Sequence, residues 1–219
     1  MPVDKPIILI GAGGHARVLA ELIRSSGFVV HGVVDPSEDS AKLRLPEERF
    51  LATADDFLLQ IDSSKFQFAM GIGARPLSLA RKAVFERFFS LGFDFPALVH
   101  PTAHVASDVV LGPGTQVMAG SVIQSGSTLG LCTVANSRCS IDHECTVGDF
   151  AHISPGVILA GCVSIGIQSF IGPGSVVTEN RTVGNCAVVG AGSVVLHDLP
   201  AGARAWGTPA RTARTKGQE

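Results

Sequence analysis

The sequence predicts two units in tandem: an α/β unit over residues 1–97 and a parallel β-helix with a C-terminal tail over 98–219. Three observations carry this. An apolar residue recurs every six positions from Val99 to Val195, and only Ala135 departs from Val, Leu or Ile. Four residues after each of these anchors stands something small or β-branched (Thr115, Ser121, Ser127, Cys139, Cys145), with Arg181 the clear interruption. Ahead of the repeat, an apolar strand runs straight into a glycine turn, a helix and a second strand ending in an acid.

A fixed six-residue period means a solenoid in which each hexad supplies one short strand and one corner, three hexads closing a triangular coil. One hexad cannot bury its own apolar face, whereas stacked coils bury a continuous apolar column. The repeats make a little over five coils, about 25 Å of prism at the usual strand spacing. Glycines that follow the anchors (Gly112, Gly130, Gly148, Gly166, Gly172, Gly184, Gly190) are expected to relieve backbone strain at the corners.

In the first unit, residues 6–10 form the first strand and lead into Gly11-Ala12-Gly13-Gly14-His15-Ala16. A helical pattern follows through Val18, Leu19, Leu22 and Ile23 and closes at Gly27; a second strand over 28–34 ends at Asp35. This is the order of a Rossmann-like, nucleotide-binding βαβ unit, in which bare backbone approaches phosphates and a helix N-terminus meets their charge. Gly11, Gly13 and Gly14 are the candidate phosphate turn, with Asp35 toward a ribose or base edge and His15 beside the phosphates. A tight βα turn with no ligand is the plainer alternative.

Residues 36–65 read as polar and irregular, with a short helix near 54–61. Residues 66–72 read as a third strand ending in a second glycine turn, whose Gly73 can line the same pocket. An amphipathic helix is expected over 77–91, with Leu77, Ala80, Val84, Phe88 and Leu91 inward and Arg81, Lys82 and Arg87 outward. Residues 93–99 complete a βαβαβ half, which suits a mononucleotide-linked ligand better than a whole dinucleotide.

Composition narrows the classes. Hydrophobic content of 46%, charged content of 16% and a net charge of −2 fit a packed globular protein, with no basic field for nucleic acid or an anionic membrane. No apolar run reaches the length of a membrane span, and acid and glycine interrupt the N-terminal MPVDKPIILIGAGG before a signal-peptide core can form. The five cysteines include no CxxC, and Cys139 and Cys145 fall on inward small positions, so a cytoplasmic protein with core cysteines is expected. After Val195 the period stops; Arg204, Arg211, Arg214 and Lys216 make the tail locally basic.

One hexad carries reactive side chains: Ile141-Asp142-His143-Glu144-Cys145-Thr146. Eighteen residues either way gives the neighbours in the adjoining coils: Ser125 and Gly161 for His143, Gly126 and Cys162 for Glu144. An imidazole between small residues sits in a cleared notch, and an adjacent carboxylate orients it and raises its basicity, as a general base requires. His152, stacked between Val134 and Phe170, is a second candidate; His100 and His104 read as structural. Three classes compete: an acyltransferase using His143, a β-helical metalloenzyme of the carbonic anhydrase kind, and a non-catalytic binding module. The metal reading is disfavoured, because such sites set histidines five apart and His143 and His152 are nine apart.

The hexads, the GAGGHA turn, Leu98-Val99-His100-Pro101, and Asp142-His143-Glu144-Cys145 followed by Gly148-Asp149-Phe150-Ala151-His152-Ile153-Ser154 together resemble the sialic acid O-acetyltransferase and bacillosamine N-acetyltransferase (NeuD/PglD-like) family. A GDP-perosamine N-acetyltransferase-like member is equally compatible. The resemblance implies a left-handed β-helix, a homotrimer with sites between prisms, and acetyl-CoA as donor without a metal. It implies His143 as general base tuned by Glu144, and His152, Gly161, Gly190, Pro209 and Arg211 along the donor; Gly207-Thr208-Pro209-Ala210-Arg211 resembles the G-x-P-A-[KR] ending of hexapeptide acyltransferases. It also implies that Gly11, Gly13, Gly14, His15, Asp35 and Gly73 receive a nucleotide-linked amino sugar in bacterial surface-glycan (lipopolysaccharide-type) synthesis. Asp35-Pro36 stands where some members carry two acids, which leaves UDP, GDP and CMP open, as is N- against O-acetylation.

Overall fold

The computed structural model describes residues 5–53, 56 and 61–213. The chain divides into two compact units, one comprising residues up to 74 with 78–101, the other 75–77 with 102 onward.

In the first unit, strands β1 (Ile7–Ile10), β2 (Val30–Val34), β3 (Phe50–Ala52) and β4 (Gln67–Met70) form a parallel sheet in the order β3-β2-β1-β4. That order places a topological switch point between β1 and β4, where open α/β sheets bind ligands beyond the strand carboxyl ends. Helix α1 (Gly14–Ser25) buries Ala16, Leu19, Ala20, Leu22 and Ile23; Val18, expected inward, is half exposed.

Three expectations need correction. Residues 36–53 are ordered: Ser37 caps helix α2 (Glu38–Arg44) by accepting a hydrogen bond from the Ser40 N–H, and β3 follows. The helix near 54–61 falls mainly outside the described residues. Helix α3 (Ala80–Ser90) starts later than expected and is turned differently, burying Arg81, Phe85 and Phe88 while Leu77, Ala80 and Leu91 face solvent. The reason is an aromatic cluster: Phe85 packs on Phe95 at 4.7 Å and Phe88 meets Phe93 edge-on at 5.2 Å, so the phenylalanines set the rotation. Phe93 and Phe95 belong to an extended segment beside β4, where Phe68 N–H donates to the Asp94 carbonyl; only Leu98–Val99 is a regular strand.

The second unit is the β-helix. Two-residue parallel strands stack on three faces, each pairing with the residue eighteen further on: Thr128 with Thr146, Val134 with His152, Ser140 with Ile158. Every anchor from Val117 to Val195 is buried. The small inward residues do more than fill space. Hydroxyls of Thr115, Ser121, Ser127, Ser169 and Ser175 donate at 2.7–2.9 Å to carbonyls fifteen residues on, satisfying buried groups of the next turn of chain. Cys139 and Cys145 are buried in the same row, and burial raises the Cys139 thiol to about 11. Arg181, the interruption, turns toward the edge, with Nη1 3.8 Å from Asp198 Oδ1.

The glycines after the anchors serve a different purpose from the one expected. None of them has positive φ; a Cβ on Gly112, Gly148 or Gly172 would lie 2.6–2.8 Å from backbone of the next coil. The left-handed corner comes two residues later, at Gly114, Gly120, Gly126 and Gly156, and at Cys132, Arg138, Glu144, Phe150 and Cys162 with φ of 51–59°. A non-glycine there costs about 1–2 kcal/mol.

Candidate active site

The hexad holding His143 is fixed from below and from its own backbone. Ser127 Oγ donates to the Asp142 carbonyl at 2.8 Å and accepts from Cys145 N–H at 3.1 Å. The Glu144 N–H reaches the Ser125 carbonyl at 2.9 Å, and Cys162 N–H reaches the His143 carbonyl at 2.9 Å. Asp142 Oδ1 accepts the His143 N–H at 2.7 Å, closing the corner. The eighteen-residue register read from the sequence is therefore the register observed.

The notch is real, and it is Gly161 that makes it. A Cβ there would stand 2.5 Å from both Cε1 and Nε2 of His143, so the ring lies over bare backbone. Glu144 is held at φ 57°, and a Cβ on Gly126 would approach its Cγ to 3.1 Å. Because Cys132, Arg138, Phe150 and Cys162 share that backbone conformation, the strain belongs to the coil and says nothing about function. Glu144 Oε2 lies 3.1 Å from His143 Nδ1. Against a carboxylate, which only accepts, Nδ1 carries the hydrogen and Nε2 keeps its lone pair.

Cys162 stands over Glu144, as the eighteen-residue spacing requires, and its thiol is part of the site although the spacing alone gives it no role. Its Sγ donates to Glu144 Oε2 at 3.7 Å. Desolvation, then the Glu144 charge and hydrogen bond, then Glu179, push its thiol above the ordinary value, so it stands as a neutral donor. His143, Glu144 and Cys162 offer ligand atoms within 4.8 Å of one another, and among the described residues they are the group of this kind that could hold a metal ion. Histidine spacing alone had not pointed to it; the signal was the third ligand one coil away.

The remaining candidates fall in two places. His152 is buried and stacked on Phe170, ring centroids 5.0 Å apart and planes 6° apart, as its register implied. A Cβ on Gly190 would meet Trp206 Cβ at 2.8 Å; Trp206 pairs with the exposed Arg211 across a hairpin that carries Pro209 near its turn. Arg214 and Lys216 lie outside the described residues.

In the first unit the turn residues converge. Gly11 has φ 95°, and a Cβ would lie 2.6 Å from Ile72 Cγ1, so the fold itself requires this glycine. Gly13 and Gly14 have ordinary φ and open space where a Cβ would be, so neither is demanded by packing. Gly13 caps α1 with no side-chain hydrogen bond, and no acid occupies the first helical turn. His15 lies against Gly73, whose Cβ would approach the His15 Cβ to 3.2 Å. Asp35 Oδ2 accepts the Ala12 N–H at 2.8 Å and Oδ1 accepts the Ser37 N–H at 3.0 Å, so this carboxylate braces the turn.

Residues 6–88 match the model of the PglD N-terminal domain. The structure is similar to PerB from Caulobacter crescentus in complex with CoA and GDP-perosamine, at 33% identity over 95% of this chain and 97% of that one, with a TM-score of 0.86. The chain belongs to the NeuD/PglD-like family of sugar acetyltransferases. This NeuD/PglD-like chain is also similar to the acetyltransferase domain of PglB from Neisseria gonorrhoeae in complex with acetyl coenzyme A, at 32% identity over 96% of this chain and 100% of that one, TM-score 0.86. WeeI from Acinetobacter baumannii, at 21% identity over 95% and 99% with a TM-score of 0.82, shares the fold. As a NeuD/PglD-like protein it is an acyltransferase. No helix among the described residues is long and apolar enough to cross a membrane.

Proposed function

We propose that the protein transfers the acetyl group of acetyl-CoA to the amino group of a sugar carried on a nucleoside diphosphate. The observation that carries this is the His143 imidazole over Gly161 with Nδ1 held by Glu144, in a chain similar over nearly its whole length to a CoA–GDP-perosamine complex.

The chemistry follows from the tautomer. Nε2 accepts the proton of the sugar amine as its nitrogen attacks the thioester carbonyl; the new C–N bond forms, the C–S bond breaks, and the proton passes from the imidazolium to the departing CoA sulfur. Glu144 stabilises the transient positive charge on the ring. Cys162, kept as a neutral thiol by desolvation and by Glu144, is poorly suited to attack a thioester, which supports direct transfer over an acyl-enzyme.

Along the donor we assign His152, Gly161, Gly190, Pro209 and Arg211. To the nucleotide we assign Gly11, Gly13, Gly14, His15, Asp35 and Gly73, supported by the open space at Gly13 and Gly14 before an uncapped helix N-terminus. Each Asp35 oxygen accepts one backbone N–H and keeps a spare lone pair, so its part is to hold the loop while reaching a ribose. A homotrimer is supported by apolar side chains exposed on the prism, among them Val110, Ile158 and Ile167. Free cysteines support a reducing, cytoplasmic compartment and a place in surface-glycan assembly before export.

The test is acetyl-CoA consumption with amino sugars on GDP, UDP or CMP and with sialic acid, the product assigned by NMR. An N-acetylated nucleotide sugar supports the reading; turnover of sialic acid alone, with an O-acetyl product, overturns it.

A further inference from the structure

We propose that His143, Glu144 and Cys162 bind a single soft divalent cation, Zn2+ foremost, and that the ion switches acetyl transfer off by taking the imidazole. The three ligand atoms lie within 4.8 Å of one another. Zn2+ bonds nitrogen and oxygen at roughly 2.0–2.2 Å and thiolate at about 2.3 Å, so tetrahedral ligands stand about 3.3–3.8 Å apart. Two of the three separations are already near that range: Nδ1 to Oε2 is 3.1 Å and Sγ to Oε2 is 3.7 Å. The ligands come from adjacent coils whose backbones are pinned by the Cys162 N–H to His143 carbonyl hydrogen bond, so small side-chain rotations complete the geometry.

The donor set decides which ion. One thiolate and one imidazole select zinc, cobalt or copper over magnesium and calcium, which take oxygen. Three protein ligands leave a fourth position for water, the pattern of an open, exchangeable site. All three side chains are reachable from solvent in this chain, and Glu179 adds negative charge beside Cys162.

The consequence for catalysis is a matter of protons. When Nδ1 becomes a ligand, the single proton of the neutral ring resides on Nε2, and Cys162 gives up its thiol proton to solvent. Nε2 is then a donor and has no lone pair to accept the amine proton. The Glu144 carboxylate is withdrawn from the ring at the same time. Nothing in acetyl transfer itself uses Cys162, so the thiol can report on the metal without entering the reaction.

The inhibitory half rests on the proposed function; the binding half does not, and the experiment separates them. The full-length protein is titrated anaerobically with Co2+, and thiolate-to-cobalt charge-transfer absorption is followed. One ion per chain is expected, with the band lost in Cys162→Ser and kept in Cys186→Ser, the other exposed free thiol. Acetyl-CoA consumption is followed by chromatography, since released CoA would itself bind zinc. Zn2+ should lower wild-type turnover at least tenfold, reversibly with EDTA. Cys162→Ser should keep the basal rate and need at least about tenfold more zinc, the least that even an outer-shell partner is worth. Absence of the band, or its survival in Cys162→Ser, overturns the site. A band that forms while zinc inhibits wild type and Cys162→Ser alike overturns the switch. A band that forms in a protein inactive on every acceptor overturns the proposed function and upholds the metal site.

Discussion

Gly161→Ala tests the notch without removing the imidazole. The added Cβ would stand 2.5 Å from Cε1 and Nε2 of His143, where ordinary contact begins at 3.4 Å, so the ring must retreat by about 0.9 Å. Gly161 has no positive φ, so alanine adds no backbone strain, and the ring is free to move because the His143 side chain is 56% exposed. Stability should change by no more than about 0.5 kcal/mol, or roughly 1–2 °C in Tm. A displacement near 1 Å of a reacting group costs on the order of a hundredfold in rate, about 2.7 kcal/mol of barrier. The assay is kcat and KM for acetyl-CoA on the wild type, Gly161→Ala, His143→Ala and the double variant. We expect kcat of Gly161→Ala to fall about a hundredfold and the double variant to be no slower than His143→Ala, since without the ring the methyl displaces nothing. A kcat within about twofold of wild type would refute the reasoning. A double variant slower by a further hundredfold would mean that the methyl acts on the donor, along which Gly161 is assigned, and would refute only its action through the ring.

Four other outcomes are expected. Ile153→Ala, at a fully buried anchor, should cost about 2–5 kcal/mol by denaturant unfolding because the coils above and below cannot collapse into the space. Asp108 is held below its ordinary value of 3.8 by the Ser125 hydroxyl; its contribution is therefore full above that value and lost as pH falls through the lower folded value. Ser125→Ala should lower Tm at pH 7 and leave it unchanged below both values. Asp35→Ala removes the acceptor for the Ala12 N–H and should weaken nucleotide binding by calorimetry about tenfold, with acetyl-CoA affinity unaltered. Light scattering should give three times the chain mass, and a monomer would remove the proposed trimer.

The β-helix was legible because its period is enforced by contact: each anchor touches the residues eighteen positions away, so the pattern cannot drift. Hence the neighbours of His143 and Glu144 could be named from spacing alone. What the period does not encode is backbone conformation. The corner glycines were assigned two residues early, since glycine is needed both where coils approach and where φ turns positive, and spacing does not tell the two apart. In the first unit, the rotation of α3 was lost because its burial is set by Phe93 and Phe95, residues beyond the helix, with Arg81 drawn in alongside Phe85 and Phe88. Asp35 was recognised by position, but its hydrogen bond to the turn could be seen only once β1 and β2 were paired.

The central claim is settled most directly by the single-turnover rate of acetyl transfer in His143→Ala, measured at saturating acetyl-CoA beside the donor affinity of the same variant. The rate should fall by about 10²–10⁴ with donor affinity unchanged. A rate close to wild type would mean that the proton leaves the amine by some route other than this ring.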